Sequence, residues 1–80
     1  MDNLSVVSIR VDQRTDSATK LQEVLTKNGD MILARFGMHD PQEINTGLIT
    51  LNIRGEKSRI NNMLNELSSL DGIKVNHMEA

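Results

Sequence analysis

The sequence predicts an α+β domain of ferredoxin-like order βαββαβ, with a four-stranded antiparallel sheet and two helices on one face. Three observations support this prediction. Segments in which apolar and polar residues alternate are interleaved with segments of helical period, turn-forming residues separate them, and 80 residues accommodate one such domain. We therefore expect residues 1–80 to form a single domain.

The first strand and the first helix have clear signals. Residues 6–11 alternate, with Val7, Ile9 and Val11 on one side. A polar turn over residues 12–16 precedes a helix whose apolar stripe consists of Ala18, Leu21, Val24 and Leu25. The helix is expected to be capped by a side-chain oxygen at residues 15–17 and to end where Gly29 adopts a left-handed conformation.

The second strand is expected over residues 31–38. Alternation along a regular strand places Ile32, Ala34, Phe36 and Met38 on one side, which we assign to the helix-covered face. Met31, Leu33 and Arg35 are then expected on the uncovered face. Residues 39–45 contain the only proline of the chain and are predicted to be the loop that leads to the third strand.

The second half of the chain repeats the order of the first. Residues 47–54 alternate cleanly and form the predicted third strand, which Gly55 ends. A helix with a wide apolar face is predicted over residues 56–70, and Asp71-Gly72 ends it. Residues 73–78 alternate again and form a short fourth strand.

This topology places the first and third strands in the centre of the sheet and leaves the second and fourth at its edges. The second strand is apolar and lacks proline, and an unprotected edge of that kind pairs readily with another chain. The uncovered face mixes apolar and polar residues, as expected of a surface buried against a partner. We predict a homodimer or homotetramer whose interface includes Met31, Leu33, Arg35, Leu48 and Thr50.

Composition restricts the classes of partner. Nine Lys and Arg against eleven Asp and Glu give a formal net charge of −2, without a basic cluster, so no direct contact with nucleic acid is expected. No apolar run approaches the roughly 20 residues that span a bilayer, and the N-terminus lacks a secretory signal, so we expect a cytoplasmic protein that does not enter a membrane. The chain has no cysteine, and its core must be aliphatic and methionine-rich.

No catalytic constellation is present in the sequence, and we predict that the protein is not an enzyme. The absence of cysteine excludes the thiolate copper site of ferredoxin-like metal chaperones. The turn after the first strand has Arg14 but no glycine, and its acids Asp12 and Asp16 would repel the phosphate of an acylphosphatase substrate. The central strands lack the aromatic residues of an RNA-binding sheet.

Two charged residues are candidates for ligand binding. Arg35 lies within an apolar strand, and its guanidinium group could hold a ligand carboxylate or an acid of a partner subunit; the alternative is a solvated arginine at a sheet edge. Asp30 follows Gly29 and could bind such a cation or a free backbone amide; the alternative is a structural turn residue. The sequence identifies no cofactor.

A metal site is the alternative functional hypothesis. His39 and Asp40 are adjacent in the predicted loop, and His77 lies near the C-terminus. Together they could supply two or three ligands to nickel or zinc, shared across a subunit interface. Histidines without a defined spacing are more often solvated, so the leading interpretation assigns no metal.

Four segments together resemble a known family. They are Ser5-Val6-Val7-Ser8-Ile9-Arg10-Val11, residues 28–37, Gly47-Leu48-Ile49-Thr50-Leu51-Asn52-Ile53 and residues 70–75. The most specific is the run Gly29-Asp30-x-Ile32-x-x-Arg35-x-Gly37. The chain resembles the regulators assigned to iron-only hydrogenase systems, small ACT-like domains that are also similar to the C-terminal domain of nickel-responsive repressors.

The resemblance implies an ACT-like regulatory domain over residues 1–80 that associates through its sheet, senses a small molecule or metal ion at a subunit interface, and has no catalysis. It also implies a role for Asp12 in ligand binding, because amino-acid-sensing ACT domains have an Asp-x-Pro-Gly turn there. This chain keeps Asp12 but lacks the proline and the glycine. No DNA-binding module is expected within residues 1–80, so any effect on transcription would need a separate protein.

Overall fold

The computed structural model describes residues 2–80 and confirms the predicted fold. The elements are β1 (Asp2–Asp12), α1 (Ala18–Lys27), β2 (Ile32–His39), β3 (Thr46–Glu56), α2 (Lys57–Ser68) and β4 (Ile73–Glu79), with a 3-10 turn at Gly29–Met31. The four strands form one antiparallel sheet in the order β2-β3-β1-β4. As predicted, the first and third strands are central.

The core lies between one face of the sheet and the two helices. Val7, Ile9, Leu51 and Ile53 of the central strands are fully buried, and they alternate with residues that point to the other face. The helices cover them with Leu21, Leu25, Ile60, Met63 and Leu67. Burial of these aliphatic side chains is the main stabilising contribution, because the chain has neither disulfides nor large aromatic clusters.

The turn between α2 and β4 holds the loop between β1 and α1. The backbone amide of Asp12 donates to the Gly72 carbonyl over 2.8 Å, and the Ser17 hydroxyl donates to the Asp71 carbonyl over 2.6 Å. Ser17 therefore occupies the N-cap position of α1 without making the predicted side-chain cap. Gly72 has a φ of 73°, and a Cβ there would lie 2.6 Å from Thr15 Cγ2, so only glycine fits this contact.

The end of α1 differs from the prediction. Gly29 does not adopt a left-handed conformation, since among the described residues only Gly72 has positive φ. The chain continues into the 3-10 turn, and Met31 is buried with 2% of its surface exposed. Met31 packs over Gly55, where an added Cβ would collide with its sulfur atom. The prediction that Met31 lies on the uncovered face is therefore wrong, because the missing side chain of Gly55 opens a place for it in the core.

A β-bulge changes the orientation of β2. Ile32 pairs with Ile53, but Ala34 pairs with Asn52, so Leu33 is an additional residue without a partner in β3. Because side chains alternate along a strand, one additional residue moves each later side chain of the strand to the opposite face of the sheet. Arg35 opposes Leu51 on the helix-covered side, and Phe36 opposes Thr50 on the uncovered side. The predicted faces of the second strand are wrong from Ala34 onward.

The uncovered side of the sheet, here called the open face, carries apolar and polar residues in alternation. Its apolar members are Leu4, Val6, Ala34, Phe36, Met38, Leu48 and Met78, and Phe36 is 65% exposed. Its charged members away from the strand ends are the cations Arg10, Arg54 and Lys74. Within residues 2–80, neither helix is long and apolar enough to cross a membrane.

Candidate functional site

A polar cavity of about 370 Å³ lies where β1 ends, on the side of the open face. We call it the Asp12 cavity. Strand β1 contributes Arg10 and Asp12, and the loop after it contributes Arg14. The β2–β3 connection, the first residue of β3 and strand β4 complete the wall with Glu43, Thr46 and Lys74. Gly72 of the turn before β4 also lines it, so the site draws on three strands and three connecting segments.

Asp12 and Arg14 form a two-pronged ion pair at the edge of this cavity. Arg14 Nε and Nη2 donate to the two carboxylate oxygens of Asp12, each over 2.9 Å, and the Arg14 backbone amide donates to Oδ1 over 3.0 Å. These hydrogen bonds lower the pKa of Asp12 to about 2. The side-chain bonds have the largest effect, and the backbone amide bond has the second largest. The same pair raises the pKa of Arg14, so both groups stay charged over the physiological range.

The other charges of the cavity are only partly balanced. Arg10 Nη2 lies 2.9 Å from Glu43 Oε2, which also accepts a hydrogen bond from the Thr46 hydroxyl. Lys74 is the cross-strand neighbour of Arg10, and no carboxylate of residues 2–80 lies within 4.0 Å of its ammonium group. Three cations thus face two carboxylates, and Lys74 is available to an anion.

Asp30 lies in a different part of the molecule. Arg59 of α2 grips both of its carboxylate oxygens, at 2.5 Å and 2.7 Å, and hydrogen bonding from Arg59 lowers the pKa of Asp30. Asp30 adjoins Met31, which packs against the end of β3 at Gly55, whereas Asp12 pairs with Thr46 at the start of that strand. The two aspartates are therefore at opposite ends of the sheet.

Arg35 is not next to either aspartate. The bulge turns it toward the helices, where its Nη2 donates to Gln22 Oε1 of α1 over 2.7 Å. The three residues predicted to bind a ligand, Asp12, Asp30 and Arg35, consequently occupy three separate places and do not form one site. Only Asp12 lines the polar cavity.

The alternative metal site is not assembled within one chain. His39 ends β2 and His77 lies in β4, and these strands form the two opposite edges of the sheet. Asp40 uses Oδ1 to accept the backbone amide of Gln42 over 2.8 Å. Across residues 2–80, no three His, Cys, Asp or Glu side chains come together as a metal site would require. The hypothesis that these residues bind nickel or zinc across a subunit interface, with ligands from more than one chain, stays a prediction.

The five residues predicted for an oligomer interface do not all lie on the open face. Leu48 and Thr50 lie on the open face, as predicted. Leu33 is the unpaired bulge residue and is 61% exposed. Met31 is in the core and Arg35 faces the helices, so neither lies on the open face. Whether Leu33, Leu48 and Thr50 contact a partner remains a prediction.

Sequence reasoning did not assign to a ligand site four charged residues of the cavity: Arg10, Arg14, Glu43 and Lys74. The sequence does contain a pattern that brings two of them, Arg10 and Lys74, together. The alternation in the first and fourth strands places Arg10 and Lys74 on the same face, and the predicted topology makes those strands neighbours. No local pattern indicates that Glu43 reaches Arg10, 33 positions earlier in the chain.

The fold and the cavity define a small ferredoxin-like α+β domain with a charged site at the end of its first strand. A family model matches residues 3–77, nearly the full chain, and its description is TM1266-like, "Iron-only hydrogenase system regulator, putative". The chain belongs to this family, as the resemblance in the sequence implied. The comparison with proteins of curated function finds no significant match.

Solved structures share the fold of this chain. The uncharacterized protein TM1266 from Thermotoga maritima superimposes with a TM-score of 0.90 at 22% identity, covering 99% of this chain and 98% of that one. The nitrogen regulatory PII-like protein CPII from Thiomonas intermedia K12 gives 0.55 at 9% identity, with 100% and 97% covered. A formyltetrahydrofolate deformylase from Pseudomonas putida KT2440 gives 0.64 at 7% identity, and the match spans 28% of that enzyme. These likenesses show the fold.

The Asp12–Arg14 pair predicts a pH dependence. Because the folded-state pKa of Asp12, about 2, is below its ordinary 3.8, the pair stabilises the fold above pH 3.8 and this contribution is lost as the pH falls through 2. In Arg14→Gln the pKa should rise toward 3.8. The ¹³C shift of the Asp12 carboxyl carbon, followed by NMR against pH, measures both values.

The matched control for this titration is Lys57→Gln. Lys57 begins α2 and lies outside the cavity, and the substitution removes the same single charge. It should leave the Asp12 midpoint where it is in the unaltered protein. An equal upward shift in both variants would mean that the net charge of the protein, and not the hydrogen bonds from Arg14, sets the pKa of Asp12.

Proposed function

We propose that the chain is a non-enzymatic, ACT-like regulatory domain that forms a homodimer or homotetramer through its open face and responds to a small anion bound in the Asp12 cavity. The family description names the iron-only hydrogenase system as what its members regulate. Its location in the cytoplasm, beside such a system, is part of the proposal. The observation that carries it is the presence of an uncovered apolar surface and an unpaired cation on the same side of the sheet.

The open face has the size and composition of an interface. The strands have 11, 8, 11 and 7 residues, and at about 3.3 Å per residue and about 4.8 Å between strands the face measures about 600 Å². A standard interface buries roughly 800 Å² per partner. Small domains without disulfides are marginally stable, so covering Phe36, Met38 and Met78 with a second copy would add stabilisation that the core alone cannot supply.

The charge of the open face suggests how an effector would act. Two copies facing each other would bring together Arg10, Arg54 and Lys74 of each chain, and like charges at a contact oppose association. An anion held by Lys74 and the neighbouring arginines of the cavity would remove part of this repulsion. The acids of the turn do not prevent this, since Arg14 neutralises Asp12 and Asp16 does not line the cavity.

Asp12 keeps the role implied by the resemblance, but in this proposal it acts through Arg14. Its carboxylate fixes the guanidinium group at the rim and so positions one of the cations that meet the anion. Phosphate and carboxylate groups are the anions that such a mixed Arg and Lys site recognises. Association and effector binding would then be linked, because each favours the same state.

Light scattering tests the association. At micromolar concentration and physiological salt we expect a mass that is a multiple of the 9.0 kDa chain. Phe36→Lys should reduce it to one chain while the circular dichroism spectrum stays unchanged, because the side chain lies on the open face and outside the core. Ile44→Lys is the control: Ile44 is 85% exposed in the β2–β3 connection, and its substitution should leave the mass unchanged. A single-chain mass for the unaltered protein contradicts the proposal.

Calorimetric titration with inorganic phosphate tests the effector site. We expect saturable binding that Lys74→Gln weakens by about tenfold, the loss of one charge-assisted contact. Lys57→Gln, at the far end of the sheet, should bind as the unaltered protein does. Phosphate should also raise the fraction of associated chains. Equal weakening by the two substitutions would indicate nonspecific attraction and would remove the Asp12 cavity from the proposal.

A further inference from the structure

A groove of about 260 Å³ lies between α1 and the edge strand β2, and most of its lining is on the helix-covered side of the sheet, although Met38 and Leu48 of the open face also border it. Its floor is apolar and consists of Val11, Leu21 and Ile49, and its rim is polar, with Gln22, Arg35 and His39. The groove is formed by residues of one chain. It is separate from the Asp12 cavity, with which it shares no lining residue.

Gly37 of the edge strand leaves this space open, whereas at Gly47 of the facing strand a Cβ would lie 3.3 Å from Gln13 Nε2. On the helix-covered side of β2 and β3, Gly37 pairs with Ile49, and His39 pairs with Gly47. A Cβ built on Gly37 would meet no atom within 4 Å, so the position borders an empty volume. Helix α1 therefore covers the central strands and leaves the helix-side surface of the edge strand open at this point.

The chemistry of the groove is set by Arg35. Arg10, Arg14 and Arg59 each bind a carboxylate of the same chain, whereas Arg35 donates to the neutral amide oxygen of Gln22. No carboxylate in the described part of the chain, residues 2–80, forms a salt bridge with it. Its remaining N–H groups stand beside an apolar floor, and a guanidinium group is suited to gripping a carboxylate with two bonds.

We propose that this groove binds a small carboxylate with an apolar tail. The carboxylate pairs with Arg35, and the tail lies across Val11, Leu21 and Ile49 where Gly37 leaves room. The volume is below the roughly 300–1,000 Å³ of sites for drug-sized molecules, so the ligand is small. The site needs no second subunit, and its test does not depend on whether the chain associates or binds phosphate.

NMR titration of the ¹⁵N-labelled protein with sodium hexanoate tests the proposal. We expect saturable shift changes at the amides of Gly37, Gly47 and Ile49, with a dissociation constant on the order of 1 mM. Hexanamide has the same tail without the charge and should bind about tenfold more weakly. Changes at other residues only, or equal binding of the two compounds, would overturn the proposal.

Two substitutions examine the two parts of the groove. Arg35→Gln removes the cation and should weaken hexanoate binding about tenfold, whereas Lys20→Gln, on α1 but outside the groove, should not. Gly37→Val fills the space without a clash, and valine favours strands, so the protein should stay folded and lose hexanoate binding. Unaltered binding in either Arg35→Gln or a folded Gly37→Val would contradict the proposal.

Discussion

The bulge at Leu33 is the constraint on which the proposed interface and the proposed groove beside β2 depend. Ile32 and Ala34 pair with the consecutive residues Ile53 and Asn52, so Leu33 is an additional residue in β2. From Ala34 onward, each side chain of β2 therefore lies on the face opposite to the one it would have in a regular strand. Phe36 and Met38 then join Leu48 on the open face, and Arg35 turns toward α1. Without the bulge, Arg35 would oppose Thr50, and Phe36 would fill the groove that Gly37 leaves open.

The same strand therefore contributes to both sides of the sheet with different chemistry. On the open face it supplies apolar area next to cations of β1, β3 and β4, a combination suited to an association that anions regulate. On the helix side it supplies a guanidinium group next to buried aliphatic side chains. The proposed interface and the two proposed sites fit in a domain of 80 residues because the helices cover the central strands and β4 but leave part of the edge strand β2 open.

Much of the fold could be predicted because the period of the sequence reports burial directly. Alternation in the first and third strands, and the apolar stripes of both helices, place Val7, Leu51 and Ile60 correctly in the core. The bulge could not be predicted, because Leu33 is as apolar as its neighbours and an additional residue leaves the composition of the strand unchanged. The partners of Asp30 and Arg10, 29 and 33 positions distant, likewise depend on tertiary packing that no local spacing encodes.

The register of β2 can be measured by NMR through Phe36. It is the only Phe, Tyr or Trp of the chain, so no other phenyl, phenol or indole signals overlap with its ring protons. The bulged register predicts nuclear Overhauser contacts from the Phe36 ring to the side chains of Thr50 and Leu48 on the open face. A regular strand would place the ring opposite Ile49, against Leu21. Contacts to Ile49 and Leu21 methyl groups would contradict the account, because they would remove Phe36 from the open face and fill the groove beside Arg35.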